Sequence, residues 1–334
     1  MHALSVAVAG FSAISLATWW MTGESPALIL TVFAAIAAVT TFLSQKISTF
    51  LKILIATFAT EIVIFGGLYL LGLSPWWPDA LKAYKVPDSV AMTVAFFAIL
   101  VWAVSHIPVV RTVARIADRY FEAEGMTVAR IWPLRPFQVA EKRLAMWMLV
   151  FLIVLNQAQV GINVRLSFFG RDWFNAIQEK NEAAFWSLLY TVFAFWAVIY
   201  IASAIIEIVV QAMLTVRWRR YLTNHYISNW LDGATHYRMS LKDSGTDNPD
   251  QRIAEDLKLF TDGTLSLAIG LLQSVVTLVS FVVILWSVSG SIELFGIEIP
   301  GYMVWAAVLY AIFGSVLTHF VGDRKSTRLN SSHT

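Results

Sequence analysis

The chain has 334 residues, of which 58% are hydrophobic and 14% are charged, with a formal net charge of +2. A soluble domain carries about 25% charged residues, so this composition excludes an ordinary soluble protein and predicts a membrane protein. Cysteine is absent and the six histidines show no metal-ligand spacing. We therefore predict no disulfide and no metal site, and we expect no nucleic-acid partner.

Eight apolar segments are long enough to cross about 30 Å of hydrocarbon, which takes ~20 residues of helix. They predict an all-α, polytopic transmembrane protein with about eight spans. The segments cover residues 3–21, 27–43, 50–71, 89–110, 144–161, 183–216, 264–289 and 302–321. The first lacks a basic flank and a small-residue cleavage site, which predicts a retained span rather than a signal peptide.

Lysine and arginine are unevenly distributed between the two sets of loops. With the N-terminus inside, the inner loops hold 16 basic residues and the outer loops hold 5. Because inner loops carry an excess of these residues, the N-terminus and the loop 217–262 are predicted to be cytoplasmic.

Residues 111–143 divide the chain into two parts. The stretch RTVARIADRYFEAEG predicts a basic amphipathic helix at the inner membrane surface. Prolines at 133 and 136 prevent one continuous helix into the next span. We predict an N-terminal four-span module at 1–110, an amphipathic cytoplasmic linker at 111–143 and a functional core at 144–322.

The sixth apolar segment is unusually long. It runs about 34 residues, or ~51 Å of helix, which is more than tilting in the bilayer absorbs. No glycine or proline interrupts it before Gly233. A helix that projects well into the cytoplasm is predicted.

The stretch DNPDQRIAEDLKLF, in the loop that follows, predicts a short separate helix. Asn248 suits the N-cap, Pro249 the first helical position, and Gln251 can reach back as in a capping box. Asp250 adds negative charge where the helix dipole favours it.

One face of this short helix is apolar, because Ile253, Leu257 and Phe260 recur at helical spacing. Such a helix between two spans predicts a docking surface for a cytoplasmic partner. The alternative is that it only turns the chain beside the membrane.

Several polar residues fall inside or at the ends of the spans. Glu207 lies in the long span with Gln211 on the same face, which indicates a proton relay or a substrate contact. Pairing with Arg217 or access to water is the alternative. Glu61 is predicted to pair with His106 or another polar partner rather than to take part in transport.

Charges and amides gather at the predicted outer ends of the fifth and sixth spans. They predict an outward-facing cavity for a polar substrate, although an interfacial aromatic belt explains the aromatic residues beside them. The polar residues are Asn163, Arg165, Arg171, Asp172 and Asn175.

The last residues, 323–334, are abruptly polar. DRKSTRLNSSHT matches a reading frame through a common sequencing-adapter oligonucleotide, which predicts an artefact of gene assembly. A natural polar tail is the alternative. Under the first interpretation the natural protein continues beyond Gly322.

From residue 144 to 321 the sequence resembles the SbmA/BacA-like branch of ABC transporter transmembrane regions, which also includes the peroxisomal fatty-acyl half-transporters. Three blocks carry the resemblance. They are NVRLSFFGRDWFNAIQ, RWRRYLTNHYISNWL leading to DNPDQRIAEDLKLFTDGTLSL, and IPGYMVWAAVLYAIFGSVLTHFVG. The block DNPDQRIAED is the most specific.

The resemblance implies an incomplete exporter-type (type-1) transmembrane domain, with core spans one to four of six. For the complete protein it implies a nucleotide-binding domain, ATP with Mg²⁺, and a second identical chain. It also implies that the short helix couples to the nucleotide-binding domain. The residues implied in coupling are Asn248, Pro249, Asp250, Gln251, Arg252, Asp256, Leu257 and Phe260.

The favoured function is the permease part of an ABC-type transporter in the bacterial inner membrane, embedded in the lipid bilayer. The chain contains no G-x-x-x-x-G-K-[ST] loop, so it is predicted to be no enzyme by itself and to hold no cofactor. One alternative is a proton-driven SbmA/BacA-type peptide transporter without an ATPase domain. Another is a membrane anchor or assembly protein.

Overall fold

The computed structural model of the chain describes residues 1–23, 25–72, 89–130, 135–234, 237–238, 249–294 and 296–330. These residues are largely helical, which confirms the predicted all-α transmembrane class. They form two compact units, Met1–Thr277 and Leu278–Thr334.

Four helices make up the N-terminal part of the first unit: α1 (His2–Thr22), α2 (Ser25–Leu43), α3 (Thr49–Gly72) and α4 (Ser89–Val104). Helix α2 packs against α1 and α4, and α3 packs against the same two helices. Helices α1 to α3 match the first three predicted spans to within two residues at each end, and α4 covers the first 16 residues of the fourth.

Small residues allow α1 and α2 to approach closely. The hydroxyls of Ser12 and Ser15 donate to the carbonyl oxygens of Thr31 and Ala27 across the contact, each at 2.9 Å. Ala27 is fully buried. Membrane helices commonly associate through such small side chains and interhelical hydrogen bonds, because lipid supplies no hydrophobic driving force between them.

A sharp bend separates α4 from α5 (Pro108–Phe121), at an angle of 98°. Pro108 lies at the start of α5, where its missing N–H leaves no intrahelical hydrogen bond unmade. The predicted amphipathic helix is confirmed, since Ala114 and Ala117 are buried while Arg111 is exposed. The predicted fourth span ended at residue 110, whereas the helix ends at Val104.

A short antiparallel hairpin follows α5, with strands β1 (Met126–Ala129) and β2 (Phe137–Ala140). Met126 lies opposite Ala140, and Ala129 lies opposite Phe137. The sequence analysis predicted a break in the helix here but no strands. The predicted break at residue 133 lies outside the described residues.

Helix α6 (Glu141–Gln178) begins directly after β2. It is one helix of 38 residues, and it continues 17 residues beyond the predicted end of the fifth span at residue 161. The block at residues 163–178 is therefore part of the same helix and not a separate segment after the span. Gly161 and Gly170 lie within α6, where glycine costs only about 1 kcal/mol each.

The predicted long sixth helix is present. It comprises α7 (Glu182–Ser187), a π-helical segment at Leu188–Ala194 and α8 (Phe195–Leu231). Beyond Val216, where the predicted apolar segment ends, it continues to Leu231, a further 15 residues or about 22 Å.

Helix α9 (Pro249–Val288) is a single helix of 40 residues. The prediction of a short separate helix ending near residue 260 was wrong, because that stretch forms the first three turns of α9. Leu257, Thr261, Leu265 and Ile269 are all buried and lie four residues apart. This stripe continues from the polar start into the apolar part, so the same side stays packed and the helix does not break.

The second unit contains the end of α9, a hairpin of β3 (Ser291–Leu294) and β4 (Ile297–Pro300), and helix α10 (Tyr302–Asn330). Ile292 lies opposite Ile299 in the hairpin.

Seven helices of the described part are long and apolar enough to cross a membrane, or eight if α4 and α5 count as one bent span. The number agrees with the predicted count of about eight.

Candidate coupling and translocation site

The predicted coupling residues lie at the start of α9. Asn248 lies outside the described residues, and Pro249 begins the helix. The Gln251 amide donates to Glu255 Oε1 at 2.9 Å, one turn further along. It therefore does not reach back as a capping box requires.

The apolar side of this segment is occupied within the chain. Leu257 is buried, and the Phe260 ring lies edge-on against Trp218 with centroids 5.9 Å apart. The apolar side that was predicted to dock on a partner through Leu257 and Phe260 is therefore already covered by this chain. The coupling role of the segment stays a prediction.

The opposite side of the segment is open. Arg252, Glu255 and Asp256 are exposed, and Leu259 keeps 71% of its surface accessible. Their spacing of three, one and three residues places all four on one helix face. We call these four residues the exposed face of α9; it combines charges of both signs with one apolar side chain.

Trp218 is the centre of an aromatic cluster that the sequence analysis missed. Its ring lies 5.9 Å from Phe50, 6.1 Å from Tyr120, 5.4 Å from Phe121 and 5.9 Å from Phe260. The indole is fully buried, and its Nε1 has no hydrogen-bond partner among the described residues.

The aromatic cluster joins helices α3, α5, α8 and α9. Aromatic pairs in such stacked, tilted and edge-to-face arrangements contribute about 0.5–1.5 kcal/mol beyond the area they bury. Its members lie far apart in the sequence, so no local pattern reveals it. The one signal in the sequence was Trp218 itself. A helix exposed to solvent on all sides has no reason to carry a tryptophan within the basic run RWRR.

A charged group lies beside the aromatic cluster. Arg217 Nη1 lies 3.3 Å from Glu141 Oε2, with only 16% and 12% of the two side chains exposed. The Tyr120 hydroxyl donates to Glu141 Oε1 at 3.1 Å, and Arg217 Nη2 donates to the Val128 carbonyl at 3.3 Å. Burial raises the pKa of the Tyr120 phenol above its ordinary value, and the Glu141 carboxylate raises it further.

Glu207 accepts a hydrogen bond from the amide of Gln159 on α6, at 2.8 Å. Gln159 is 5% exposed. The alternative that Glu207 pairs with Arg217 was wrong, since Arg217 pairs with Glu141 instead. The remaining functions predicted for Glu207 stay predictions.

Gln211 lines a cavity of about 460 Å³ between α8 and α9. Arg219 of α8 and Lys258 and Asp262 of α9 line the same cavity. It lies between the helix that carries Glu207 and the helix that carries the predicted coupling residues.

The polar residues predicted to line an outer cavity all lie on the second half of α6. Arg171 pairs with its neighbour Asp172 at 2.9 Å, and both side chains are substantially exposed. Asn163, Arg165 and Asn175 point in different directions around the helix, because their spacing of 2 and 10 residues corresponds to about 200° and 280° of rotation. The five residues therefore do not share one helix face.

The aromatic residues of the same region pack between helices. The ring centroids of Phe169 and Phe193, the latter in the π-helical segment, lie 5.4 Å apart. Those of Trp173 and Phe185 of α7 lie 5.2 Å apart. They join the second half of α6 to α7 and to the π-helical segment. Seven-residue π-helical segments are rare and often mark functional positions in helices.

Glu61 of α3 accepts a hydrogen bond from the amide of Gln157 of α6, at 2.9 Å. The prediction that Glu61 pairs with His106 or another polar partner is confirmed through Gln157 and not through His106, whose Nδ1 lies 2.8 Å from the Trp102 carbonyl oxygen. Glu61 is 8% exposed. This bond joins the first four helices to α6.

The family described as ABC transporter transmembrane region 2 matches residues 139–331. The chain belongs to this family. The match begins in β2, includes α6 to α10 and leaves α1 to α5 outside. It also includes most of residues 323–334, whose origin in an adapter stays a prediction.

Three relatives show the same relationship. The inner membrane ABC transporter ATP-binding protein YddA of Escherichia coli is 34% identical over 198 residues, 57% of this chain and 35% of that protein. ABC transporter D family member 2, chloroplastic, of Arabidopsis thaliana is 31% identical over 175 residues, 52% and 23% of the two chains. The human lysosomal cobalamin transporter ABCD4 is 33% identical over 114 residues, 34% and 18%.

The chain spans about a third or less of the length of the curated relatives named here. The relatives and the chain share the transmembrane region of ABC transporters.

Proposed function

We propose that the chain forms the membrane-spanning part of an ABC-type transporter that moves a substrate across the bacterial inner membrane. ATP and Mg²⁺ would bind to a nucleotide-binding domain, and a second identical chain would complete the pathway. Membership of the transmembrane family supports this proposal, as do relatives named ATP-binding proteins, one of them from the inner membrane of Escherichia coli.

The observation that carries the proposal is the contact between Trp218 and Phe260. It connects the start of α9, which holds the predicted coupling residues, to α8, which crosses the membrane and extends about 22 Å beyond its apolar part. Because the cluster around Trp218 is closely packed, a displacement of the start of α9 is transmitted to α8 rather than absorbed.

We assign the contact with the nucleotide-binding domain to the exposed face of α9. Leu259 supplies an apolar anchor, while Arg252, Glu255 and Asp256 surround it with charges of both signs. Interfaces commonly combine a central apolar side chain with a polar rim. Leu257 and Phe260 would then contribute indirectly, because their buried side chains hold the start of α9 in place and Phe260 packs against α8.

The cavity between α8 and α9 is our candidate for the inner part of the translocation pathway. Gln211, Arg219, Lys258 and Asp262 give it hydrogen-bonding and charged groups of both signs. Glu207 precedes Gln211 by one turn on the same side of α8, so it would lie next to the cavity. The polar residues on the second half of α6 stay our candidates for the outer part.

The proposal is tested with the full-length protein in proteoliposomes. ATP hydrolysis and ATP-dependent uptake are measured with a labelled oligopeptide, cobalamin and a long-chain acyl-CoA as probes. Leu259→Asp is expected to lower uptake about tenfold or more, because it removes an interface anchor, while ATP hydrolysis continues.

Leu231→Asp is the matched control. Leu231 is also a largely exposed leucine beyond the apolar part of α8, but it lies outside the exposed face of α9. Its uptake should equal that of the wild type. Full uptake by Leu259→Asp, or ATP-independent uptake by the wild type, contradicts the proposal.

A second candidate function is proton-driven transport, which the bond between Glu207 and Gln159 favours. A carboxyl group held by an amide in a membrane helix can exchange a proton during transport. Glu207→Gln keeps an acceptor for Gln159 and removes the proton-binding group. ATP-driven uptake that survives Glu207→Gln supports the ABC-type proposal, whereas uptake that a pH gradient alone drives and that this variant abolishes supports the second candidate.

A further inference from the structure

A second cavity, of about 470 Å³, lies where three of the first four helices meet the predicted inner surface. The end of α2, the start of α3 and the bend between α4 and α5 contribute to its lining. None of the functions discussed above uses it, and it lies outside the region that matches the transporter family.

Three basic side chains line this cavity. They are Lys46 after α2, and Arg111 and Arg115 one turn apart on α5. All three are exposed, and within the described part of the chain none of them forms an ion pair. Their charges are therefore available to a ligand.

The single carboxylate in the lining, Asp118, is engaged elsewhere. Its Oδ1 accepts from the backbone N–H of Phe50 at 2.8 Å and from the Ser48 hydroxyl at 2.6 Å. It thereby satisfies one of the free N–H groups at the start of α3, as an N-cap does. The cavity keeps a surplus of positive charge, which favours an anion.

Exposed apolar side chains belong to the segments that form the cavity: Leu43 lines it, and Ile107 and Val109 lie at the bend and the start of α5. Leu43, Ile107 and Val109 keep 49%, 48% and 71% of their surface accessible. Basic groups next to an exposed apolar surface, on an amphipathic helix at the end of membrane spans, form the arrangement that suits the boundary between headgroups and acyl chains. A free anion would gain nothing from the apolar part.

We propose that this cavity binds the headgroup phosphate of an anionic phospholipid of the inner leaflet. Lys46, Arg111 and Arg115 hold the phosphate, and the acyl chains lie along Leu43 and the apolar side of the bend. Guanidinium groups suit this role because they donate two hydrogen bonds to one phosphate. The lipid would fix the bend against the membrane surface, independently of transport.

The test measures lipid binding by the purified chain in detergent, by native mass spectrometry. The probes are dioctanoyl-phosphatidylglycerol, dioctanoyl-phosphatidylcholine and inorganic phosphate. The chain is expected to retain phosphatidylglycerol in preference to phosphatidylcholine. Arg111→Gln with Arg115→Gln should weaken this binding about 25-fold, roughly fivefold for each basic residue lost near a membrane surface.

Lys142→Gln with Arg143→Gln removes the same charge from the exposed start of α6, outside the cavity, and should leave binding unchanged. Arg111→Lys with Arg115→Lys should bind more strongly than the glutamine variant, because the charges are kept, but more weakly than the wild type, because lysine does not donate two hydrogen bonds to one phosphate. If the double glutamine variant does not insert into the membrane, the two single variants carry the same test at about fivefold each.

Two results overturn the proposal. The first is equal retention of phosphatidylglycerol by the Arg111/Arg115 glutamine variant and the wild type. The second is displacement of phosphatidylglycerol by millimolar inorganic phosphate, which shows that the site takes a free anion.

Discussion

The indole of Trp218 lies edge-on against the ring of Phe260, with the two ring centroids 5.9 Å apart and the planes at 85°. Trp218 is fully buried, whereas Phe260 is half-buried. This pair joins the helix that leaves the membrane to the helix that returns to it.

Trp218→Ala is expected to lower the free energy of unfolding by about 3–5 kcal/mol, the usual cost of removing a fully buried large aromatic side chain. Phe260→Ala should cost less, because its ring is partly exposed. The double variant should reveal a coupling of about 0.5–1.5 kcal/mol between the two rings. Chemical unfolding in mixed micelles measures all three.

Trp20→Ala is the control for this series, since Trp20 is 83% exposed and its removal should change stability by about 0.5 kcal/mol or less. Additive effects of Trp218→Ala and Phe260→Ala would show that the two rings do not act together.

A charged substitution at Phe260 is a poor test of coupling. Phe260→Asp would place a charge against the buried indole, so it would report on folding as well as on coupling. Leu259→Asp avoids this ambiguity.

Arg217→Met is expected to destabilise the chain by roughly 3 kcal/mol, because it leaves the largely buried Glu141 carboxylate without its cation. Replacing both residues, by Arg217→Met with Glu141→Leu, should cost less than the sum of the single changes. Unfolding free energies in a double-mutant cycle measure this difference.

The exposed pair of Arg171 and Asp172 provides the comparison, since its side chains are 60% and 40% accessible. Arg171→Met should cost about 1 kcal/mol or less, as is usual for surface ion pairs. Equal costs for Arg171→Met and Arg217→Met would contradict the structural role assigned to Glu141.

Stability should fall at alkaline pH through Tyr120. Burial and the Glu141 carboxylate raise the pKa of its phenol in the folded chain, while the phenol of the unfolded chain ionises near pH 10. Above about pH 10 the unfolded chain thus binds fewer protons than the folded chain, so stability decreases as pH rises; below that pH this contribution is complete.

Tyr120→Phe removes this titrating group and should show a shallower loss of stability between about pH 9 and pH 11, although it is less stable at neutral pH without the bond to Glu141. Unfolding free energies across this pH range measure the slope. Parallel slopes for the variant and the wild type would show that Tyr120 ionises equally in both states.

Gly301→Ala should destabilise the second unit. Gly301 has φ +65°, and a Cβ there would lie 2.6 Å from Trp286 Cε3. The variant therefore combines backbone strain of about 1 kcal/mol with a steric clash. Gly296→Ala separates the two effects, because Gly296 has φ +78° with no atom within 4 Å of such a Cβ.

Near-ultraviolet circular dichroism and thermal unfolding measure both glycine variants. Gly301→Ala should lose more stability than Gly296→Ala, and only the former should change the tryptophan signal. Similar losses in the two variants would mean that the ring of Trp286 moves away without cost.

The sequence was sufficient for features that depend on local composition. Apolar length placed the spans, and the alternation of basic and apolar residues placed α5. The start of α9 was correctly predicted as helical, but its end was not. A helix ends where its packed side ends, and the buried stripe from Leu257 to Ile269 depends on neighbours that the local sequence does not show.

The hydrogen-bond and ion-pair partners of the polar side chains could not be predicted from the sequence for a similar reason. Glu61 meets Gln157, 96 residues away, and Arg217 meets Glu141, 76 residues away. Many polar residues in the chain satisfy the same chemical requirement, so sequence spacing alone does not select one. The aromatic cluster required four helices to be in place before Trp218 could be recognised as its centre.

Helix α3 is held to the helices of the proposed pathway at two points. Glu61 bonds to α6, and Phe50, 11 residues or about 16 Å earlier on the same helix, packs against Trp218 of α8. With one attachment, α3 could rotate about that contact. Two attachments at different positions along the helix prevent this rotation. If the pathway helices tilt during the proposed transport, the first four helices would tilt together with α6 and α8, and the lateral pressure of the bilayer would act on a wider body than the pathway helices alone.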